Sequence, residues 1–143
     1  MIGVSEVFNR STQDAIAAMS RLAEAYDGGI TLLSAEEVAR SRNLPRPFVA
    51  KILTTLARAG LVAASRGPGG GFTLSKPPEK ITLMDVAALF ERGEQDILCP
   101  YGRGHCGHGN PCPLHDRIEY HINGLKEFLR STRFDVFRGN HHP

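Results

Sequence analysis

No stretch of this 143-residue chain approaches the ~20 consecutive apolar residues that a membrane-spanning helix needs. Its start also lacks a charged region followed by an apolar one, the mark of an export signal. The protein is therefore expected in the cytoplasm, away from membranes. Thiols are scarce: there are three, and none lies before Cys99 or after Cys112. In a reducing compartment, clustered thiols are expected to bind a metal or do redox chemistry rather than form structural disulfides. Paired carboxylates and nucleophile–base arrangements are missing too, so an enzyme is not expected. A net charge of +2 permits nucleic-acid binding without requiring it, and the placement of the charge decides.

The stretch at 99–115, CPYGRGHCGHGNPCPLH, holds every cysteine. Six residues separate Cys99 from Cys106 and five separate Cys106 from Cys112, with His115 three positions further on. Glycines at 102, 104, 107 and 109 and prolines at 100, 111 and 113 exclude regular helix or strand. Such a loop buries little apolar surface to offset the entropy of fixing its backbone, so a metal centre is the natural support. Zinc sites usually place ligand pairs two to four residues apart, and only Cys112 and His115 approach that. An iron–sulfur cluster, zinc and metal-free redox thiols are the readings to weigh.

Upstream, Ala15, Ile16, Met19, Leu22, Ala23 and Tyr26 recur at helical spacing, ending near Asp27-Gly28-Gly29. Ser34 with Glu37 reads as a capping box for a short second helix. After a tight connection, a third helix opens on Pro45-Arg46-Pro47 and runs to Ala59, with Gly60 as its stop. Phe48, Val49, Ile52, Leu53 and Leu56 form its expected core stripe. Pro47, Ala50, Lys51, Thr54 and Arg58 form an opposite face without any acid. Helix, turn, helix, with that face on the second, fits a helix-turn-helix DNA reader; two solvated cations on a surface helix is the plain alternative.

Residues 61–65 and 72–75 are short strand candidates joined by Arg66-Gly67-Pro68-Gly69-Gly70-Gly71. A nucleotide-binding loop is excluded, because this run leads into a strand and no Gly-Lys-Ser/Thr follows. A wing beside the reader helix fits better: Gly67, Pro68 and Gly69 let the backbone press close, and Arg66 suits a narrow minor groove. Arg46, Lys51 and Thr54 are expected near base edges and Arg58 on phosphate. Thr82 with Asp85 caps a further helix carrying Leu83, Val86, Ala87 and Phe90. Leu114, Ile118, Ile122, Leu125 and Leu129 then recur at steps of four, four, three and four residues, closer to a coiled-coil seam than to a broad core face. A helix lying on its own domain is the alternative. From Arg133 the tail is expected to be loose, with His141 and His142 incidental.

With residues 45–58, the RGPGGGF run at 66–72 and the three-cysteine loop in view, nearly the whole chain resembles the bacterial winged-helix regulators that include IscR, NsrR and CymR. The resemblance implies a mainly α fold with a small β-hairpin wing. In this reading residues 1–92 form a winged helix-turn-helix DNA-binding domain and 93–115 a cluster-binding loop. Residues 113–132 form a dimerisation helix and 133–143 a flexible tail. It further implies a homodimer on a palindromic operator in double-stranded DNA. By the same resemblance Cys99, Cys106 and Cys112 ligate a two-iron or four-iron cluster. His115 matches the fourth ligand of IscR-like members; other members use an acid near the start of the first helix, where this sequence has Gln13 and Asp14. His105 and His108 lie within the loop as further candidates. The first cysteine interval is one residue longer than the family's usual five, and Ala50 replaces an acid that some relatives use to discriminate operators. The function expected is a transcriptional regulator, read as a repressor, whose DNA affinity a cluster controls. The alternatives are the same fold with zinc or redox-active thiols, or an iron–sulfur electron-transfer protein.

Overall fold

The computed structural model describes residues 7–91 and 112–139. The order is α1 (Arg10–Ala25), α2 (Ala35–Arg42), α3 (Arg46–Arg58), β1 (Val62–Ser65), β2 (Gly71–Leu74), α4 (Leu83–Phe90) and α5 (His115–Ser131), with single 3-10 turns at Pro78–Lys80 and Phe134–Phe137. Among the described residues no helix is long and apolar enough to cross a membrane. This is a winged helix-turn-helix followed by a long last helix.

Local chemistry sets the boundaries. Ser34 and Thr82 accept the amides of Glu37 and Asp85, whose carboxylates accept the cap amides in return, so both expected capping boxes form. Two hydrogen bonds from Ser34 hold the Glu37 carboxyl below its ordinary pKa, the backbone amide more than the hydroxyl. Asn43 closes α2 in the left-handed region at φ 56°, which turns the chain sharply into α3. Val49, Ile52, Leu53 and Leu56 of α3 pack with Ala15, Met19 and Leu22 of α1 and Val38 of α2 in one core.

Phe48, expected in that stripe, is 56% exposed. It lies about 40° round the helix from Ile52, in the first turn, where four smaller aliphatics already fill the contact with α1 and α2. The wing is antiparallel, pairing Val62 with Leu74 and Ser65 with Gly71. It is also pinned from below: Leu33 and Phe72 exchange both backbone hydrogen bonds, at 3.0 and 2.8 Å. Gly71 makes this approach possible, since a Cβ there would sit 2.7 Å from the Leu33 carbonyl oxygen. Gly71→Ala is expected to cost about 1–3 kcal/mol, read as a lower urea midpoint at unchanged slope.

The residues expected to form a loose tail are folded as far as 138. Phe134 is fully buried, its amide donates to Ile81 O at 2.9 Å, and the Arg138 guanidinium donates to Tyr26 O at 3.0 Å. An apolar ring beside a turn was enough to bring the chain back onto the core. His141 and His142 lie outside the described residues.

Candidate nucleic-acid interface and metal centre

Two surfaces carry the residues singled out from the sequence. On α3, Arg46, Pro47, Lys51, Thr54 and Arg58 are all exposed, and Ala50 is half-buried among them. At the wing tip Arg66, Gly67, Pro68 and Gly69 are exposed as well. Because Leu33 ties β2 to the chain that enters α2, tip and helix are held in one frame. The charge pattern runs wider than α3: between Glu37 and Glu79 there is no carboxylate side chain, while Arg40, Arg42, Arg46, Lys51, Arg58, Arg66 and Lys76 all fall there. Two of these are already paired with carboxylates, Arg40 at the surface and Arg42 half-buried. Arg40 meets Glu36 at 2.7 Å, and Arg42 joins Glu24 at 3.0 Å and the Ser20 hydroxyl, tying the end of α2 to α1. The α3 and wing cations have no ion pair among the described residues.

Thr54 is more constrained than its exposure suggests. Its hydroxyl donates to Ala50 O at 2.9 Å, so its one proton is committed and the oxygen remains an acceptor.

The second surface is the start of α5. Cys112 is buried, not disulfide-bonded, and two residues ahead of the N-cap Leu114; its carbonyl accepts the His115 amide at 3.0 Å. A buried thiol and a half-buried imidazole on one turn are donors that suit iron–sulfur or zinc ligation. Sequence reasoning missed that His115, Asp116 and Glu119 bring their ligand atoms within 4.8 Å of one another, although a histidine, an acid beside it and an acid one turn on were legible in the chain. Cys99, Cys106, His105 and His108 lie outside the described residues.

The two candidates on α1 are both engaged. The Gln13 amide nitrogen donates to Phe8 O at 2.9 Å, and buried Asp14 pairs with Arg10 at 3.2 Å. Asn9, also overlooked, caps α1 through the Thr12 amide and donates its side-chain nitrogen to Phe90 O. The start of α1 is thereby fastened to the end of α4, where the chain enters the cysteine-rich segment.

The outer face of α5 is poorly covered. Leu129 alone is buried; Ile118, Ile122 and Leu125 are half-buried, while Leu114, Tyr120 and Phe128 are 47%, 75% and 49% exposed. The apolar seam thus starts in the core at its C-terminal end and comes out of it toward Cys112.

A helix-turn-helix-type transcriptional regulator of Aquifex aeolicus is 33% identical over 128 residues, spanning 88% of this chain and 87% of that protein. The regulator IscR of Cereibacter sphaeroides is 38% identical over 77 residues, 54% of this chain and 50% of its own. Among solved structures, CymR, the global cysteine regulator of B. subtilis, superposes with a TM-score of 0.73 at 23% identity, covering 96% and 97% of the two chains. IscR of T. potens superposes at 0.72 and 21%, covering 94% and 88%. The profile of the Rrf2 family, described as iron-dependent transcriptional regulator, matches residues 8–137. With a matching sequence profile across nearly its whole length and the winged-helix fold to go with it, this chain belongs to the Rrf2 family of transcriptional regulators.

Proposed function

We propose that this regulator is a homodimeric repressor that binds a palindromic operator in double-stranded DNA, with its affinity set by an iron–sulfur cluster at Cys99, Cys106 and Cys112 and with His115 as fourth ligand. The observation that carries the DNA half is the run without carboxylates between Glu37 and Glu79, which puts unpaired cations on α3 and the wing. A surface of one sign held in a rigid frame attracts phosphate and steers it. In this reading residues 1–92 form the DNA-binding unit, 93–115 the cluster segment and 113–132 the dimerisation helix, all in the cytoplasm.

Each side chain has a task. Arg46 and Lys51 reach base edges from the first turns of α3, the part of a reader helix that sits deepest in the major groove. Thr54, its proton already donated, accepts from the exocyclic amine of cytosine or adenine. Arg58 holds a phosphate, and Arg66 enters the minor groove while Gly67, Pro68 and Gly69 let the wing backbone lie against the sugar chain. Ala50 makes no polar demand on the base it faces, so the operator is tolerant there.

A bound cluster would supply an oxidant-sensitive iron centre beside the start of α5. The protein's part is mechanical. Leu129 and Phe134 fasten the far end of α5 to the core, and Cys112 lies at the near end. The apolar seam of Leu114, Ile118, Ile122 and Leu125 meets its copy in the partner subunit. Displacement at the Cys112 end pivots about the fastened end and alters the separation of the two α3 helices, which must span half-sites about 34–36 Å apart.

The grouping of His115 with Asp116 and Glu119 favours a second reading in which zinc takes the site, because oxygen donors suit it better than they suit a cluster. Metal analysis of anaerobically purified protein separates the two: the zinc form is colourless and inert to oxidants.

The DNA reading is tested by fluorescence anisotropy on the segment upstream of the protein's own gene. Lys51→Ala and Arg66→Ala are each expected to weaken binding about 10- to 100-fold, near 1–3 kcal/mol per contact. For Arg66→Ala the loss should be largest on A·T-rich flanks. Equal affinity of Arg66→Ala and wild type would remove the wing from the interface.

A further inference from the structure

We infer that Phe48 is a specificity-determining residue that reads the C5 methyl group of thymine, one thymine in each operator half-site. This rests on the placement of α3 in the major groove proposed above and goes beyond it by naming a base feature and the side chain that reads it.

Phe48 stands apart from the rest of the apolar stripe on α3. It is the third residue of α3, and 56% of its surface is exposed while Val49, Ile52, Leu53 and Leu56 are buried. The core leaves more than half of the residue's surface uncovered. Lys51, exposed and three residues on, is its cationic neighbour on the helix surface. An isolated exposed apolar residue is common on protein surfaces and means little. A phenyl ring in the first turn of a reader helix, at the edge between its buried stripe at Ile52 and its carboxylate-free face at Lys51, is a different case. Those first residues sit against base edges.

Chemistry then narrows the target. A phenyl group donates and accepts no ordinary hydrogen bond, so it cannot read the polar edges of guanine, adenine or cytosine. Phosphate gives it no favourable contact, and Arg58 supplies charge for that role. The thymine methyl is the one apolar group that a base pair displays in the major groove. Covering it removes apolar surface of both partners from water, whereas a guanine·cytosine pair in its place strands polar atoms against the ring. The face would thus combine cations for phosphate and purine edges with one ring that favours thymine.

Uracil tests this cleanly, since it lacks only the methyl group and pairs as thymine does. Anisotropy titrations are run on the upstream duplex with each thymine in turn replaced by uracil, using wild type, Phe48→Ala, Phe48→Leu and Lys51→Ala. Wild type is expected to lose about fourfold at one thymine per half-site, and about fifteenfold when both symmetric positions are changed, the burial of one methyl group each time. Phe48→Ala should bind the thymine duplex more weakly and be indifferent to uracil at those positions. Phe48→Leu should retain part of the discrimination, and Lys51→Ala should keep the full thymine-to-uracil ratio at lower affinity. The inference is overturned if wild type is indifferent to every replacement, if Phe48→Ala discriminates as wild type does, or if Phe48→Ala weakens binding while wild type shows no uracil-sensitive position. Failure of wild type to bind the upstream duplex at all would instead remove the operator reading on which it stands.

Discussion

Replacing Phe134 with alanine is expected to lower the stability of this protein by about 3–5 kcal/mol, the range for removing a fully buried aromatic ring. The ring has no exposed surface and stacks at a tilt on Phe137, with centroids 5.5 Å apart. Around it the backbone is stitched to the domain: the Phe134 amide donates to Ile81 O, and the Leu83 amide donates to Thr132 O, both at 2.9 Å. Arg133 and Thr82 pair as an antiparallel bridge. Removing the ring opens a cavity beneath these bonds and loosens the end of α5 at the same time. Since domains of this size are stable by about 5–15 kcal/mol in total, the loss should appear as a fall in melting temperature of roughly 10–20 °C by circular dichroism. Val136→Ala, at a position 52% exposed, is the control and should change stability by less than about 0.5 kcal/mol. If the two variants melt alike, the last turn is not part of the core.

The same residue shows where reading the chain ran out. Elements fixed by local rules were legible: both capping boxes, the Gly60 stop and the hairpin around residues 66–70 all lie where their side chains demand. The stripe on α3 was read correctly for four residues and wrongly for Phe48, because a period of 3.6 places an apolar residue near a face without saying whether that face is already full. The return of Phe134 to the core and the pinning of β2 by Leu33 are contacts between distant parts of the chain, which no short window contains. Asn9 escaped for a related reason. Its cap was visible in principle, but its second role, closing α1 onto Phe90, depends on tertiary placement. Of the candidate metal centre, the turn from Cys112 to His115 lies within the described residues, and its two acidic neighbours come into question only because α5 starts at His115 and carries Glu119 round beside it.

That turn carries the prediction with the sharpest outcome. Cys112→Ser in anaerobically purified protein is expected to remove iron and acid-labile sulfide nearly completely, together with the visible absorption, since an iron–sulfur cluster relies on thiolates and loses one of three. The thiol is 8% exposed, so the substitution itself costs some packing. Cys112→Ala keeps that spot apolar, and circular dichroism on it separates a missing ligand from a missing fold. His115→Ala should behave differently. Asp116 and Glu119 hold carboxylate oxygens within 4.8 Å of the imidazole nitrogen's position, so a substitute donor is at hand. The single variant is expected to retain iron with an altered absorption and Mössbauer spectrum, and to lose it only when Asp116→Asn and Glu119→Gln are added. The zinc reading predicts another order of effects: colourless protein throughout, and a zinc content that falls with each replacement at His115, Asp116 and Glu119. If Cys112→Ser retains full iron and an unchanged spectrum, the buried thiol at the mouth of α5 is not a ligand, and α5 loses its direct covalent link to the sensing centre.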